Sequence, residues 1–347
     1  MSRGRILSGM RPTGRMHLGN YVGALENWVA LQGQYENFHM VADWHMLTTG
    51  YEDTSRLAAD THAMVADWLA AGIDPVQTPV FRQSKIKEHA ELHLLFSMLV
   101  TKARLERNPS LKEQARDLHI DDQVISYGHL GYPVLQAADI LIYKANVVPV
   151  GEDQVPHVEL TREIARRFNH VYCAGREPIF PEPEAKLTAF ARLRGLEGNR
   201  MSKSVGNTIH LTDSPEEIEA RMKMAYTDPR KARLTDPGRP EEDPSELDSE
   251  GRPLHRGCVV WEYHRKFNSA EAESIATQCR AGALGCVKDK KYLAGKLAEA
   301  LAPIRERHAA IMARPGYVED VLQDGEARAR RVAEATLAEV REAMHLP

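Results

Sequence analysis

The sequence predicts an α/β fold, with a parallel sheet covered by helices on both faces and a second domain that is all helical. Three observations carry the prediction. Over the first 210 residues, short apolar runs alternate with longer amphipathic ones, which is the pattern of βαβ units. From Asp213 onward the strand-like runs stop and capped helical patterns take over. With 347 residues, 43% of them hydrophobic and 27% charged, the composition is that of a globular protein with room for roughly two domains.

Arg5 to Ser8 reads as the first strand. Behind it, Gly9-Met10-Arg11-Pro12-Thr13-Gly14-Arg15-Met16-His17-Leu18-Gly19-Asn20-Tyr21-Val22-Gly23 places four glycines in one strand-to-helix turn, and an amphipathic helix continues through Trp28. Taken alone, such a turn has two readings. Its glycines either allow a tight bend or let the backbone approach a phosphate, with the helix start supplying unpaired N–H groups. His17, ahead of Gly19 and Asn20, puts two polar side chains at that helix start. Phe38 to Ala42 is the second strand. Tyr51 to Ala71 is a helix with an Asp53-Thr54 cap and a stop at Gly72, and Val80 to Gln83 is the third strand.

Gly131 to Tyr143 reads as a Pro-started helix. Tyr132, Gln136 and Asp139 are spaced i, i+4, i+7 on one face, beside the small Ala137 and Ala138. An Asp among Ala, Ile and Leu is costly to bury unless it meets a donor. An indole N–H would be such a donor, and the alternative is a core Asp bonded to backbone. Val147 to Val150 is the fourth strand and leads into Gly151-Glu152-Asp153-Gln154. Further on, Gly198-Asn199-Arg200-Met201-Ser202-Lys203-Ser204 is a polar loop with two cations. Such a loop suits a phosphate whose charge changes during reaction, or is simply an exposed basic loop.

The second part opens with the helix start Asp213-Ser214-Pro215-Glu216-Glu217. Asp228 to Pro253 has little to bury and is expected to be exposed and mobile. Cys258, Cys279, Cys286 and Asp289 form C-x20-C-x6-C-x2-D, a spacing that could close a zinc site or hold an iron–sulfur cluster; buried cysteines without a metal are the alternative. Val318 to Met344 is an amphipathic helix interrupted once, at Gly325. No run approaches the ~18 apolar residues of a membrane span. The opening Met1 to Ile6 has no secretory signal pattern, and four cysteines in this length are not a disulfide framework, so a cytoplasmic, reducing location is expected. The net charge of −4 neither supports nor excludes a polyanionic partner.

The turn ending in His17-Leu18-Gly19-Asn20 and the later Met201-Ser202-Lys203-Ser204 resemble the two signature motifs of class I aminoacyl-tRNA synthetases. Gly131 to Tyr143, with Gly151 to Gln154, is similar to the tryptophanyl branch of that family, and the similarity runs nearly end to end. The resemblance implies a Rossmann-like catalytic domain over residues 1–207, a helical anticodon-binding domain over 208–312, and a C-terminal helix within 313–347 that returns to the first domain. It implies a homodimer that activates L-tryptophan with ATP and Mg2+ and passes it to tRNA(Trp). Asp139 would receive the indole N–H, Tyr132 and Gln154 would hold the amino-acid head group, and Gly9, His45 and Gln136 would line the same pocket. Arg11, Pro12, Thr13, Gly19, Asn20, Gly151, Glu152, Asp153 and Leu193 would surround ATP. His17, Asn20, Lys112, Arg200 and Lys203, with Met201, Ser202 and Ser204, would serve its phosphates.

The cysteine spacing also resembles a four-cysteine [4Fe-4S] motif of some tryptophanyl enzymes, with Asp289 where the last ligand would fall. Lys288, Lys290, Lys291, Arg305, Arg307 and Arg314 are candidates for tRNA contact or for a solvated helix face. Two positions depart from the pattern. Arg200 stands where the family usually has Lys, which keeps the charge but not the compact ammonium. Gln136 stands where many bacterial tryptophanyl enzymes have Met, and Gln also occurs there in tyrosyl enzymes, the nearest rival. A non-catalytic binding paralogue is the rival of another class, and intact His17, Asn20, Lys203 and Asp139 argue against it.

Overall fold

Apolar runs that are buried on both faces belong in a parallel sheet, and the strands β1 (Arg5–Met10), β2 (Glu36–Val41), β3 (Val80–Arg82), β4 (Val147–Val150) and β5 (Glu184–Leu187) form one, in the order β3-β2-β1-β4-β5. All four pairings are parallel, with Ile6 opposite both Asn37 and Val147. The computed structural model describes residues 4–110, 125–187, 193–203, 205–226, 228, 231–247 and 253–347. Because β2 and β4 flank β1 on opposite sides, the topological switch point lies at the carboxyl ends of β1 and β4, the place where open α/β sheets receive ligands. Arg11 to Thr13 follow one of these ends and Gly151 to Gln154 the other.

Among the described residues the α-helices are α1 (Leu18–Asn20), α2 (Glu26–Leu31), α3 (Asp43–Gly50), α4 (Leu57–Ala71), α5 (Glu88–Ser97), α6 (Lys102–Glu106), α7 (Tyr127–Ile142), α8 (Val155–Tyr172), α9 (Pro215–Lys223), α10 (Val259–Phe267), α11 (Ala272–Arg280), α12 (Cys286–Met312) and α13 (Tyr317–Ala343). Contacts divide the chain into two compact units. One comprises residues 1–15, 24–191 and 311–347, the other 16–23 and 192–310. The stretch from Met16 to Gly23 belongs to the second unit.

In the first unit, the core joins Leu7 of β1, Phe38 of β2 and Phe81 of β3 to Phe96, Tyr143 and Phe168, and α13 contributes Ala329, Ala333, Leu337 and Val340 to it. Helix α13 runs unbroken along β3 and covers the sheet edge. Gly325 does not interrupt it. A Cβ there would lie 2.0 Å from the Val80 carbonyl oxygen, so only glycine permits this approach. Arg82 fastens the same contact through Glu326 at 2.5 Å and Glu319 at 2.8 Å.

Local chemistry moves several boundaries. Helix α4 starts at Leu57, not near Asp53, because Asp53 instead accepts the Ser55 N–H at 3.0 Å and its hydroxyl at 2.6 Å in a local turn. Helix α7 starts at Tyr127 with Ser126 as its cap, so Pro133 lies in its interior and does not begin it.

In the second unit, α9 opens with the reciprocal Ser214–Glu217 capping box. The stretch from 228 to 253, expected to be exposed and mobile, carries buried residues and regular structure among its described residues. Buried Asp228 makes a double ion pair with Arg239 at 3.0 Å, and β6 (Glu242–Leu247) pairs antiparallel with β7 (Pro253–Arg256), which adds a hairpin to an otherwise helical region.

Candidate active site

Two groups of polar side chains stand out, one in each unit. In the first unit, α7 carries Tyr132, Gln136 and Asp139 on one face, as the spacing predicts. Asp139 is buried, and three side chains bond it: His45 Nε2 to Oδ2 at 2.8 Å, His89 Nδ1 to Oδ1 at 2.6 Å, and Gln83 Nε2 to both oxygens at 2.8 and 2.9 Å. Burial alone would raise the Asp139 pKa, but the hydrogen bonds and charges of His45 and His89 outweigh it and hold the carboxyl well below the usual carboxylate range. It is an ionised acceptor. Gln83 is oriented by its own Oε1, which accepts the Trp44 N–H at 3.2 Å, and His89 is braced by the Tyr143 hydroxyl at 2.8 Å. Burial pushes Tyr143 well above its ordinary pKa, so it keeps its proton.

Tyr132 leads to a second chain. Its hydroxyl meets His157 Nε2 at 2.9 Å, Asn108 Nδ2 meets His157 Nδ1 at 3.0 Å, Ser110 N–H donates to Asn108 Oδ1 at 3.1 Å, and the Ser110 hydroxyl donates to the Asp153 carbonyl at 2.7 Å. Burial lowers the His157 pKa to about 4, so the ring is neutral. With Asn108 oriented by Ser110, Nδ1 accepts and Nε2–H donates to Tyr132, which leaves the Tyr132 hydrogen for another acceptor. Arg11 is exposed and donates to Thr49 at 3.3 Å, and its charge acts on Tyr132. Gly151 is fixed by closeness, since a Cβ would lie 2.8 Å from Asp153 Oδ1, and Gln154 donates to Asp153 Oδ2 at 3.1 Å. Gly9 lies near the end of β1, where a Cβ would lie 3.0 Å from the Met40 carbonyl.

In the second unit, the glycine turn and the later polar loop come together. The His17 Nδ1 accepts the Asn20 N–H at 3.2 Å, and Asn20 Oδ1 accepts the His17 N–H at 3.2 Å, a reciprocal cap. Gly19 N–H points at Met201 Sδ at 3.2 Å. A Cβ on Gly19 would stand 3.0 Å from His17 Nδ1 and 3.1 Å from Met201 Sδ, so this glycine is required by contact with both motifs. Burial, with Lys203 and His210 adding positive charge, lowers the His17 pKa to about 4. A neutral ring with Nδ1 accepting presents Nε2–H as a donor. Asn207 holds the loop: its Oδ1 accepts the Ser202 N–H at 2.8 Å and its Nδ2 donates to the Arg200 carbonyl at 3.1 Å. Leu193 and Met201 are buried, Arg200 is exposed, and Lys112 and Ser204 lie outside the described residues.

Sequence reasoning missed Gln83, His89, His157 and Asn207, which bond the singled-out residues without sharing a motif with them, and Asn108, which orients His157. A trace of signal existed for Asn207 alone, next to Gly206 behind the polar loop.

A cluster or zinc ion at the cysteine set finds no support in the structure. Among the described residues, no three His, Cys, Asp or Glu side chains are arranged to hold a metal ion. Asp289 is bonded to buried His264 at 3.1 Å, and burial pushes the Cys258 thiol up to about 11. Lys290, a candidate for tRNA contact, donates to the carbonyls of Lys223 at 3.2 Å and Ala225 at 2.6 Å.

The model of the class I tRNA synthetases for tryptophan and tyrosine matches residues 2–302. The chain is 50% identical to a tryptophan–tRNA ligase of Thermotoga maritima over 345 residues, 99% of each chain. It is 40% identical to a tryptophan–tRNA ligase of Aquifex aeolicus, covering 99% of this chain and 100% of that one. A crystal structure of the tryptophanyl-tRNA synthetase of Campylobacter jejuni, in complex with ADP and tryptophan, superposes with a TM-score of 0.81 at 29% identity, covering 99% of this chain and 100% of that one.

Proposed function

The chain belongs to the class I tRNA synthetases for tryptophan and tyrosine, and from that premise we propose how its residues share the work. The activity is that of a tryptophan–tRNA ligase: L-tryptophan and ATP give tryptophanyl-adenylate and pyrophosphate, and the tryptophanyl group then passes to tRNA. The observation that carries the residue assignment is Asp139, a buried and ionised acceptor on the same helix face as Tyr132. A site built around one hydrogen bond rejects analogues lacking the donor far better than an apolar pocket does.

Asp139 accepts the indole N–H, Tyr132 and Gln154 hold the amino-acid head group, and Gly9, His45 and Gln136 line that pocket. The tryptophan carboxylate attacks the α-phosphorus of ATP, the bond to the β-phosphate oxygen breaks, and pyrophosphate leaves. No protein nucleophile takes part, so catalysis is positioning and charge stabilisation. Neutral His17 donates from Nε2 to phosphate. Lys203, Arg200 and Lys112 meet the charge that builds on the leaving pyrophosphate, with Met201, Ser202 and Ser204 shaping the loop. Nucleotide contacts are assigned to Arg11, Pro12, Thr13, Gly151, Glu152 and Asp153 of the first unit and to Gly19, Asn20 and Leu193 of the second, and Mg2+ would accompany the nucleotide. In the second step a terminal ribose hydroxyl of tRNA attacks the acyl carbon and AMP leaves.

The same proposal includes tRNA(Trp) as the acceptor, anticodon reading by the region 208–312 with Lys288, Lys291 and Arg307 at its surface, a homodimer, and a cytoplasmic location. The test is aminoacylation of purified tRNA(Trp) and tRNA(Tyr) with each labelled amino acid. Tryptophan on tRNA(Trp) alone is expected, and tyrosine on either tRNA would overturn the assignment.

A further inference from the structure

The Asp139 carboxylate has no acceptor position to spare. An ionised carboxylate offers about four lone-pair positions. Here Oδ1 takes Gln83 and His89, and Oδ2 takes Gln83 and His45. With the residue 1% exposed, an indole N–H can reach it only by replacing one of these donors. Gln83 and His89 are both fully buried and are each held from behind, by the Trp44 N–H and the Tyr143 hydroxyl respectively. His45 differs. Its side chain is 11% exposed, and its ring packs edge-on against Tyr132 with centroids 6.3 Å apart, on the side of the head-group residues.

We propose that His45 is the lock of the indole site: its Nε2–H occupies the position on Asp139 Oδ2 that the indole N–H requires, and tryptophan binds by taking over that bond as the imidazole withdraws. The inference rests on the reading of Asp139 as the indole acceptor. It assigns His45 a role that a wall of the pocket would not have. Tryptophan exchanges one charge-assisted bond for another, while a ligand without the ring N–H must either leave Oδ2 short of a donor or stop outside the lock. His45 thus keeps a buried carboxylate satisfied until the one ring that can satisfy it arrives.

Three measurements separate the lock from the reading beneath it. First, wild-type affinities for tryptophan and for its benzothienyl analogue, in which sulfur replaces the ring N–H, test Asp139. The analogue should bind at least roughly tenfold more weakly, and equal affinities would remove the acceptor and the lock together. Second, with ring-labelled histidine, the Nε2–H resonance of His45, assigned through His45→Ala, should lose its carboxylate-bonded shift when tryptophan saturates the enzyme. A resonance unmoved by tryptophan would overturn the lock while leaving the Asp139 reading intact. Third, His45→Ala removes the competitor for Oδ2 and should tighten tryptophan binding by roughly tenfold. If His45 only walled the pocket, the same change would weaken binding, which would also overturn the lock.

Discussion

At the scale of single residues, Asn207 is the side chain that braces the polar loop around Met201. Asn207 is 2% exposed, and it bonds the backbone on both sides of Met201. Removing both bonds costs about 1–3 kcal/mol of loop order. Asn207→Ala should therefore lower the rate of tryptophan activation by roughly tenfold and leave the dissociation constant for tryptophan unchanged, as read by pyrophosphate exchange and by calorimetry. Lys203→Ala acts on the charge itself and should slow activation by roughly a hundredfold or more, again with little change in tryptophan affinity; unchanged turnover would remove Lys203 from the mechanism. His17, Asn20, Lys203, Tyr132 and Asp139 stand out in the sequence because each lies in a short word or on one helical face. The residues that orient them do not. Gln83 and His89 reach Asp139 from 56 and 50 positions away, and nothing in a linear pattern encodes that meeting.

At the scale of elements, the strands with an apolar run, β1 to β4, were legible to within a few residues. Strand β5 was not, since Glu184-Ala185-Lys186-Leu187 is a half-exposed edge with no run to detect. The last helix was legible as a helix, but its glycine was misread. Gly325 looks like a break from its propensity alone, whereas the nearness of the Val80 backbone makes it the point of closest packing. Gly325→Ala should force α13 from β3 and destabilise the first unit by about 1–3 kcal/mol despite the higher helix propensity of alanine. A thermal melt at constant pH would show it, and a raised midpoint would contradict the packing account. The Arg82 clasp on the same helix depends on Glu319, whose pKa is lowered to about 2 by its hydrogen bonds to Arg82. Its contribution is therefore present above the unfolded glutamate value near 4.5 and is lost as pH falls through about 2.

At the scale of the whole molecule, the balance of buried histidines sets the acid response. Burial lowers His39 to about 3 and His157 to about 4, and burial with nearby positive charge lowers His17 to about 4. The unfolded chain takes up these protons near 6.5, while the folded chain resists them. Stability is thus highest above pH 6.5 and falls as pH drops from there toward 4. His39 adds a cost at every pH, because it is stacked on Trp28 at 4.7 Å and neither ring nitrogen has a partner among the described residues. His39→Phe should keep the stack, flatten the slope of melting temperature between pH 7 and 5, and leave the protein at least as stable at pH 7. A steeper slope would contradict the assignment. The two-part organisation was legible from the change of periodicity near Asp213. The membership of Met16 to Gly23 in the second unit was not, because it rests on backbone bonds to Ile209 and Leu211 that only the folded chain brings together.

The central claim, that this chain activates tryptophan and recognises it through Asp139, is tested most directly by amino-acid-dependent exchange of labelled pyrophosphate into ATP on the wild-type enzyme, with tyrosine as control. Exchange with tryptophan and none with tyrosine is the predicted result, whereas exchange supported by tyrosine, or by neither amino acid, would contradict it.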